Sequence, residues 1–83
     1  MNRDGRQRLT ISIGNRPINL TQVLKLAGLV QSGGEAKSWI AEGRVTVNGE
    51  IEQRKRRQMK VGDTVTLKDG PTILLIDGRP GDG

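Results

Sequence analysis

Turn-forming residues recur so often along this chain that no regular element can run far. Gly14, Pro17, Gly28, Gly33, Gly43, Gly49, Gly62 and Gly70 divide it into short pieces. A helix of about two to three turns is not stable alone in water, so any helix here must pack on another or on a sheet. At 83 residues the chain makes one small domain, of a size that buries about 60–65% of the surface its unfolded form exposes. The expected organisation is a flexible N-terminus at 1–8, a folded unit at 9–77 and a flexible Gly- and Pro-containing tail at 78–83.

The pieces have legible patterns. Leu9-Thr10-Ile11-Ser12-Ile13 alternates and predicts a half-buried strand. Asn19 with Gln22 three residues later has capping-box spacing. Leu20, Val23, Leu24 and Ala27 then form one helical stripe, which Gly28 ends. Ser32 with Glu35 repeats the capping-box spacing. Ala36, Trp39 and Ile40 make the apolar stripe of a second short helix, which stops at Gly43. Trp39 is accordingly expected in the core.

Strands follow. Arg44-Val45-Thr46-Val47 alternates and runs into Asn48-Gly49, a strong hairpin signal, and then Glu50-Ile51-Glu52. Two registers are open. A two-residue loop pairs Val47 with Glu50, and a three-residue loop pairs Val47 with Ile51. Keeping the apolar residues on one face favours the second. Glu50 and Glu52 are then solvated strand residues. Thr64–Leu67 and Thr72–Ile76 predict two further strands, entered through Val61-Gly62-Asp63 and Asp69-Gly70-Pro71.

What the chain lacks narrows its chemistry. It has no Cys, His, Tyr or Phe, and one Trp. Disulfides, thiolate nucleophiles, the usual zinc ligands and an imidazole base are therefore excluded. A single aromatic makes no platform for stacking single-stranded bases. The expectation is a non-enzymatic binding module without cofactor or metal. Its longest apolar run, Ile73–Ile76, is a strand's length, far short of the roughly 18–20 residues that span a membrane. No signal-peptide pattern is present, so a cytoplasmic chain with no membrane partner is expected.

Charge supplies the positive evidence. Lys and Arg number 14 against 9 Asp and Glu, a net charge of +5. Arg54-Lys55-Arg56-Arg57 and Lys60 place five cations in residues 54–60 with no carboxylate among them. Four consecutive like charges repel and need a counterion, which makes a polyanion the natural partner. Guanidinium binds phosphate through two parallel donors, as ammonium cannot. Lys37 and Arg44, seven residues apart, extend the same basic rim if the helical face carries on to residue 44. Lys25 is a weaker candidate. Ser32-Gly33-Gly34 at a helix start is a candidate anion site, although the Ser32 cap and Glu35 use some of its donors; no Gly-Lys-Ser/Thr follows to make a phosphate loop.

These segments together resemble the RNA-binding domain named for ribosomal small-subunit protein S-four, also called the alpha-L motif. The resemblance spans roughly residues 19–67. It rests on the helix pair, Gly43-Arg44-Val45-Thr46-Val47-Asn48-Gly49 and Val61-Gly62-Asp63. It is nearest to the small stand-alone bacterial members. It implies an α+β fold in which two short packed helices precede a small antiparallel sheet or hairpin, with flanking N- and C-terminal strands. It also implies an RNA surface at Ser32, Lys37, Arg44 and Arg54–Arg57. Many members carry Arg directly after the Ser that opens the second helix; here that position is Gly33, which puts the weight on the basic run. The resulting expectation is a monomer that binds structured RNA, ribosomal RNA or ribosomal particles, through phosphate contacts from Lys25, Ser32, Lys37, Arg44, Arg54, Lys55, Arg56, Arg57 and Lys60. The charge alone leaves two alternatives: a basic adaptor for an acidic protein surface, and a DNA-binding protein.

Overall fold

A computed structural model describes residues 8–14 and 17–77. The elements in chain order are β1 (Arg8–Ser12), β2 (Ile18–Asn19), α1 (Leu20–Leu26), α2 (Gly33–Ala41), β3 (Val45–Val47), β4 (Glu50–Ile51), β5 (Gln58–Met59), β6 (Thr64–Leu67) and β7 (Thr72–Ile76). The expected flexible ends lie almost wholly outside the described residues, and Arg8, assigned to the N-terminal one, opens β1.

Both helices start as their caps dictate. At α1 the box is complete: Asn19 Oδ1 accepts from Gln22 N at 2.9 Å, and Gln22 Oε1 accepts from Asn19 N at 2.9 Å. At α2 Ser32 Oγ accepts from Glu35 N at 3.1 Å, but the Glu35 carboxylate accepts from Gln31 N at 2.8 Å, one residue outside the usual box. Leu20, Val23 and Leu24 from α1 are fully buried, as are Ala36 and Ile40 from α2. Trp39 only partly reaches the core.

A five-stranded sheet of order β1-β7-β6-β3-β4 takes the other side of that core. Its pairings are antiparallel except β1 with β7, which are parallel. Cross-strand neighbours Val47, Val65 and Ile73 point inward together, while Thr46, Thr66 and Thr72 occupy the opposite face. This is the alternation of a sheet buried on one side. A separate two-stranded ladder pairs Ile18 with Met59 and Asn19 with Gln58. Neither of its strands was visible in the sequence, because two residues show no periodicity.

The hairpin corrects the expected register. Val47 pairs with Glu50, and Thr46 with Ile51. Asn48 at φ 52° and Gly49 at φ 88° both adopt the left-handed conformation of a two-residue type I′ turn. The turn's backbone preference outweighs the burial of one isoleucine, and Ile51 is left 64% exposed.

Asn48 also locks the hairpin to the Val61-Gly62-Asp63 turn. Its Oδ1 accepts from Thr64 N at 2.9 Å, and its Nδ2 donates to Asp63 Oδ1 at 3.1 Å. Asp63 is buried, and its Oδ2 accepts from Lys60 N at 3.0 Å. Asp63→Ala therefore strands two donors, at about 1–3 kcal/mol for each one left without a partner. The expected outcome is a clear fall in the urea midpoint with the fold retained; an unchanged midpoint would show that the lock is idle.

Candidate nucleic-acid interface

The two-residue turn decides where the next carboxylate goes. With Ile51 outward, Glu52 turns inward opposite Val45, whose carbonyl accepts from Glu52 N at 3.0 Å. The Glu52 side chain is 8% exposed, so it was wrongly expected to be a solvated strand residue. Four donors surround it. Oε2 accepts from Arg54 N at 3.0 Å and Arg54 Nε at 2.9 Å. Oε1 accepts from Arg54 Nη2 at 3.1 Å and Arg57 Nη1 at 2.7 Å. The run of four cations thus carries an internal counter-charge.

The same segment is tied down on its other sides. Arg57 N donates to Arg54 O at 3.1 Å, closing a turn. Its carbonyls face the start of α1: Arg57 O accepts from Leu20 N at 3.0 Å, and Lys55 O accepts from Thr21 Oγ1 at 2.9 Å and Thr21 N at 3.3 Å. Amides that α1 cannot satisfy internally are thereby paired. Gln53 Nε2 donates to Ala41 O at 3.0 Å, doing the same for the end of α2.

Between this anchored turn and α2 runs an open groove of about 840 Å³. Lys37, Ser38 and Ala41 line one side, and Gln53, Arg54, Lys55 and Arg56 the other. Ser38 and Ala41 are small, which leaves it wide, and its walls carry four cations and no carboxylate.

The remaining sequence candidates lie elsewhere. Arg57 turns to Glu52 and keeps 29% exposure. Lys60 is exposed beyond β5, at the Asp63 turn. Arg44 is not on the groove. Its Cζ lies 5.8 Å from the Trp39 ring centroid, its Nε is 3.0 Å from Glu42 Oε1, and it lines a separate depression with Lys68 and Asp69. The expected continuation of the Lys37 face fails because α2 ends at Ala41 and Gly43, at φ 77°, turns the chain away. Lys25 lines a more apolar depression with Ile13, Ile18 and Leu26. The Ser32 hydroxyl is occupied as a cap, and Gly33 faces Thr21 beside the basic turn. Among the described residues no cluster of acidic side chains suits a metal ion, and no helix is long and apolar enough to cross a membrane.

Sequence reasoning missed Glu52, Gln53 and Thr21. A weak signal for Glu52 existed, since it is the carboxylate nearest to the run along the chain. What put it inside was the register.

Comparison with known proteins places this geometry among others. The family model described as S4 domain matches residues 11–75. The probable ribosome maturation protein RlbA of Bacillus subtilis is 47% identical over 67 residues, covering 81% of this chain and 94% of the relative. The putative RNA-binding protein YbcJ of Escherichia coli is 47% identical over 68 residues, covering 81% and 96%. The solution structure of YbcJ, reported to reveal an alpha-L motif involved in RNA-binding, superposes with a TM-score of 0.58 at 33% identity, over 92% of this chain and 91% of that one. A tyrosine–tRNA ligase of Bordetella pertussis matches 66% of this chain at 36% identity but only 13% of the ligase's own length.

The clamp has an acid signature. Hydrogen bonds from the Arg54 side chain, then from Arg57, then from the Arg54 backbone bring the Glu52 pKa down from 4.5 to about 2, against the opposing effect of burial. The same contact raises Arg54. A carboxylate depressed in the folded state adds stability that is fully present above its unfolded pKa and is lost as pH falls through the folded value. Stability should therefore decline between pH 4.5 and about 2. That part of the decline should be missing in Glu52→Gln when chemical denaturation is followed across this range. Parallel curves for the two proteins would mean that the clamp contributes nothing to it.

Proposed function

This chain belongs to the S4 domain family, and from that premise we propose that it is a non-enzymatic RNA-binding module that grips the phosphate backbone of structured RNA. The observation that carries the proposal is the groove between α2 and the anchored basic turn, whose charged groups are all cations. The names of the relatives, one a putative RNA-binding protein and one a probable ribosome maturation protein, support the RNA class and make ribosomal RNA or ribosomal particles the first partners to try.

The physics favours backbone over base recognition. Double-stranded RNA hides its base edges in a deep major groove and presents phosphates and 2′-hydroxyls instead. Trp39, the one aromatic, is partly buried beneath Arg44 and is not on the groove. A turn already fixed to α1, α2 and Glu52 loses little freedom on binding, which favours a rigid, shaped partner over a flexible strand. The ligase match covers 13% of the ligase, so no aminoacylation activity follows from it.

The test is an anisotropy titration of a labelled RNA hairpin over a salt series. Affinity should fall with salt by about 0.7–0.9 log units per phosphate contact for each tenfold rise. A K37A/K55A/R56A variant should lose about 100-fold or more at roughly 0.1 M salt. A flat salt response, or full binding by that variant, would reject the groove. Equal affinity for duplex DNA would identify a DNA-binding protein. Co-sedimentation with ribosomes that survives ribonuclease would identify an adaptor for a protein surface.

A further inference from the structure

We propose that Glu52 is a positioning residue that divides the basic run: it withdraws Arg57 and ties down Arg54 as framework, and so leaves Lys55 and Arg56, with Lys37 across the groove, as the cations that meet phosphate. This rests on the RNA reading above and adds to it which charges act and how they are held.

The geometry separates the two groups. Arg57 donates from Nη1 to Glu52 at 2.7 Å and keeps less than a third of its side-chain surface exposed. Arg54 commits Nε and Nη2 to the same carboxylate, so its side-on donor pair is taken and its charge compensated, while Nη1 and the rest of a side chain that is 76% exposed stay open to solvent. A paired guanidinium releases few counterions when RNA arrives, because its charge is already compensated. No comparable carboxylate contact engages Lys37, Lys55 or Arg56 among the described residues. The carbonyls of Lys55 and Arg57 are bonded to α1, so the backbone between the two framework arginines cannot swing. Lys55 and Arg56 are thus carried on a turn whose two ends are clamped by one buried anion.

The division has a countable consequence. Three phosphate contacts give a salt slope of about 2–3 log units per tenfold salt, where Lys37 with all five cations at residues 54–60 would give about 4–5.5. Lys55→Ala and Arg56→Ala should each flatten the slope by about 0.7–0.9. Arg57→Ala should lower the melting temperature and leave the slope of the folded protein unchanged. Glu52→Gln frees the framework arginines and should steepen the slope by about 0.7–0.9 for each one released. Glu50→Gln, an equal change of charge at an exposed β4 site two residues before Glu52, should not.

The salt-dependent anisotropy titration with the RNA hairpin is run on all five variants, each checked for folding by circular dichroism. Arg57→Ala flattening the slope as much as Arg56→Ala overturns the division, and so does Glu52→Gln matching Glu50→Gln. If Glu52→Gln does not fold, the Arg56 and Arg57 variants decide alone. A second measurement needs no RNA: nitrogen relaxation at Arg54 Nε should report a rigid guanidinium in the wild-type protein and in Glu52→Asp. A mobile Arg54 Nε in the wild type overturns the positioning role whatever binds. Absence of salt-dependent RNA binding by a protein with a rigid Arg54 rejects the RNA reading and keeps the clamp.

Discussion

Four adjacent cations cannot be held in a fixed shape without an anion, and Glu52 is that anion. Its carboxylate takes one backbone and three guanidinium donors. A buried charge is costly unless paired and hydrogen-bonded, and this one is both. The carboxylate and the basic turn therefore depend on each other: without the arginines Glu52 would be an uncompensated charge beside the core, and without Glu52 the turn would be a repelling loop. The groove's far wall takes its position from this contact together with the bonds of its backbone to α1 and of Gln53 to the end of α2.

The clamp in turn depends on a backbone preference three residues upstream. Asn48-Gly49 forms a two-residue turn, and side chains alternate with a period of two along the strand that follows. A slip of one residue would exchange Ile51 and Glu52 between the faces. The observed register exposes an isoleucine and buries a carboxylate, the reverse of what hydrophobicity alone favours. The Asn48 side chain, accepting from Thr64 N and donating to Asp63, fixes this register from the opposite side. Val-x-Val-Asn-Gly and Val-Gly-Asp, which carried the family resemblance, are thus the two ends of one lock. Their link to the basic groove is indirect and passes through Glu52.

Two basic clusters emerge where one rim was expected. Lys37 joins Arg54, Lys55 and Arg56 at the groove, while Arg44 stacks on Trp39 and pairs with Glu42 next to Lys68. Helical periodicity predicts neighbours only while the helix lasts, and the turn at Gly43 ends it before residue 44. The groove's side of α2 is lined by small residues, Ser38 and Ala41, and Gly33 on the same helix faces Thr21. A long side chain in place of Gly33 would lie between α2 and the first turn of α1.

The sequence by itself determined what is local. Both helix caps, the alternation of β1 and β6, the apolar run of β7, the Asn-Gly turn and the density of positive charge at residues 54–57 all follow from neighbours within about four positions. From these came the expected α+β class and the expectation of a polyanionic partner. Only the tertiary structure decided which cations are available. It paired Ile18 with Met59, brought the carbonyls of Lys55 and Arg57 onto α1 amides 34 or more residues away in the chain, and set Glu52 inside rather than outside. The physical reason is that a charge's availability depends on what its side chain meets in space. That is fixed by sheet register and by helix ends looking for donors and acceptors, and neither leaves a periodic trace in the residues that carry the charge.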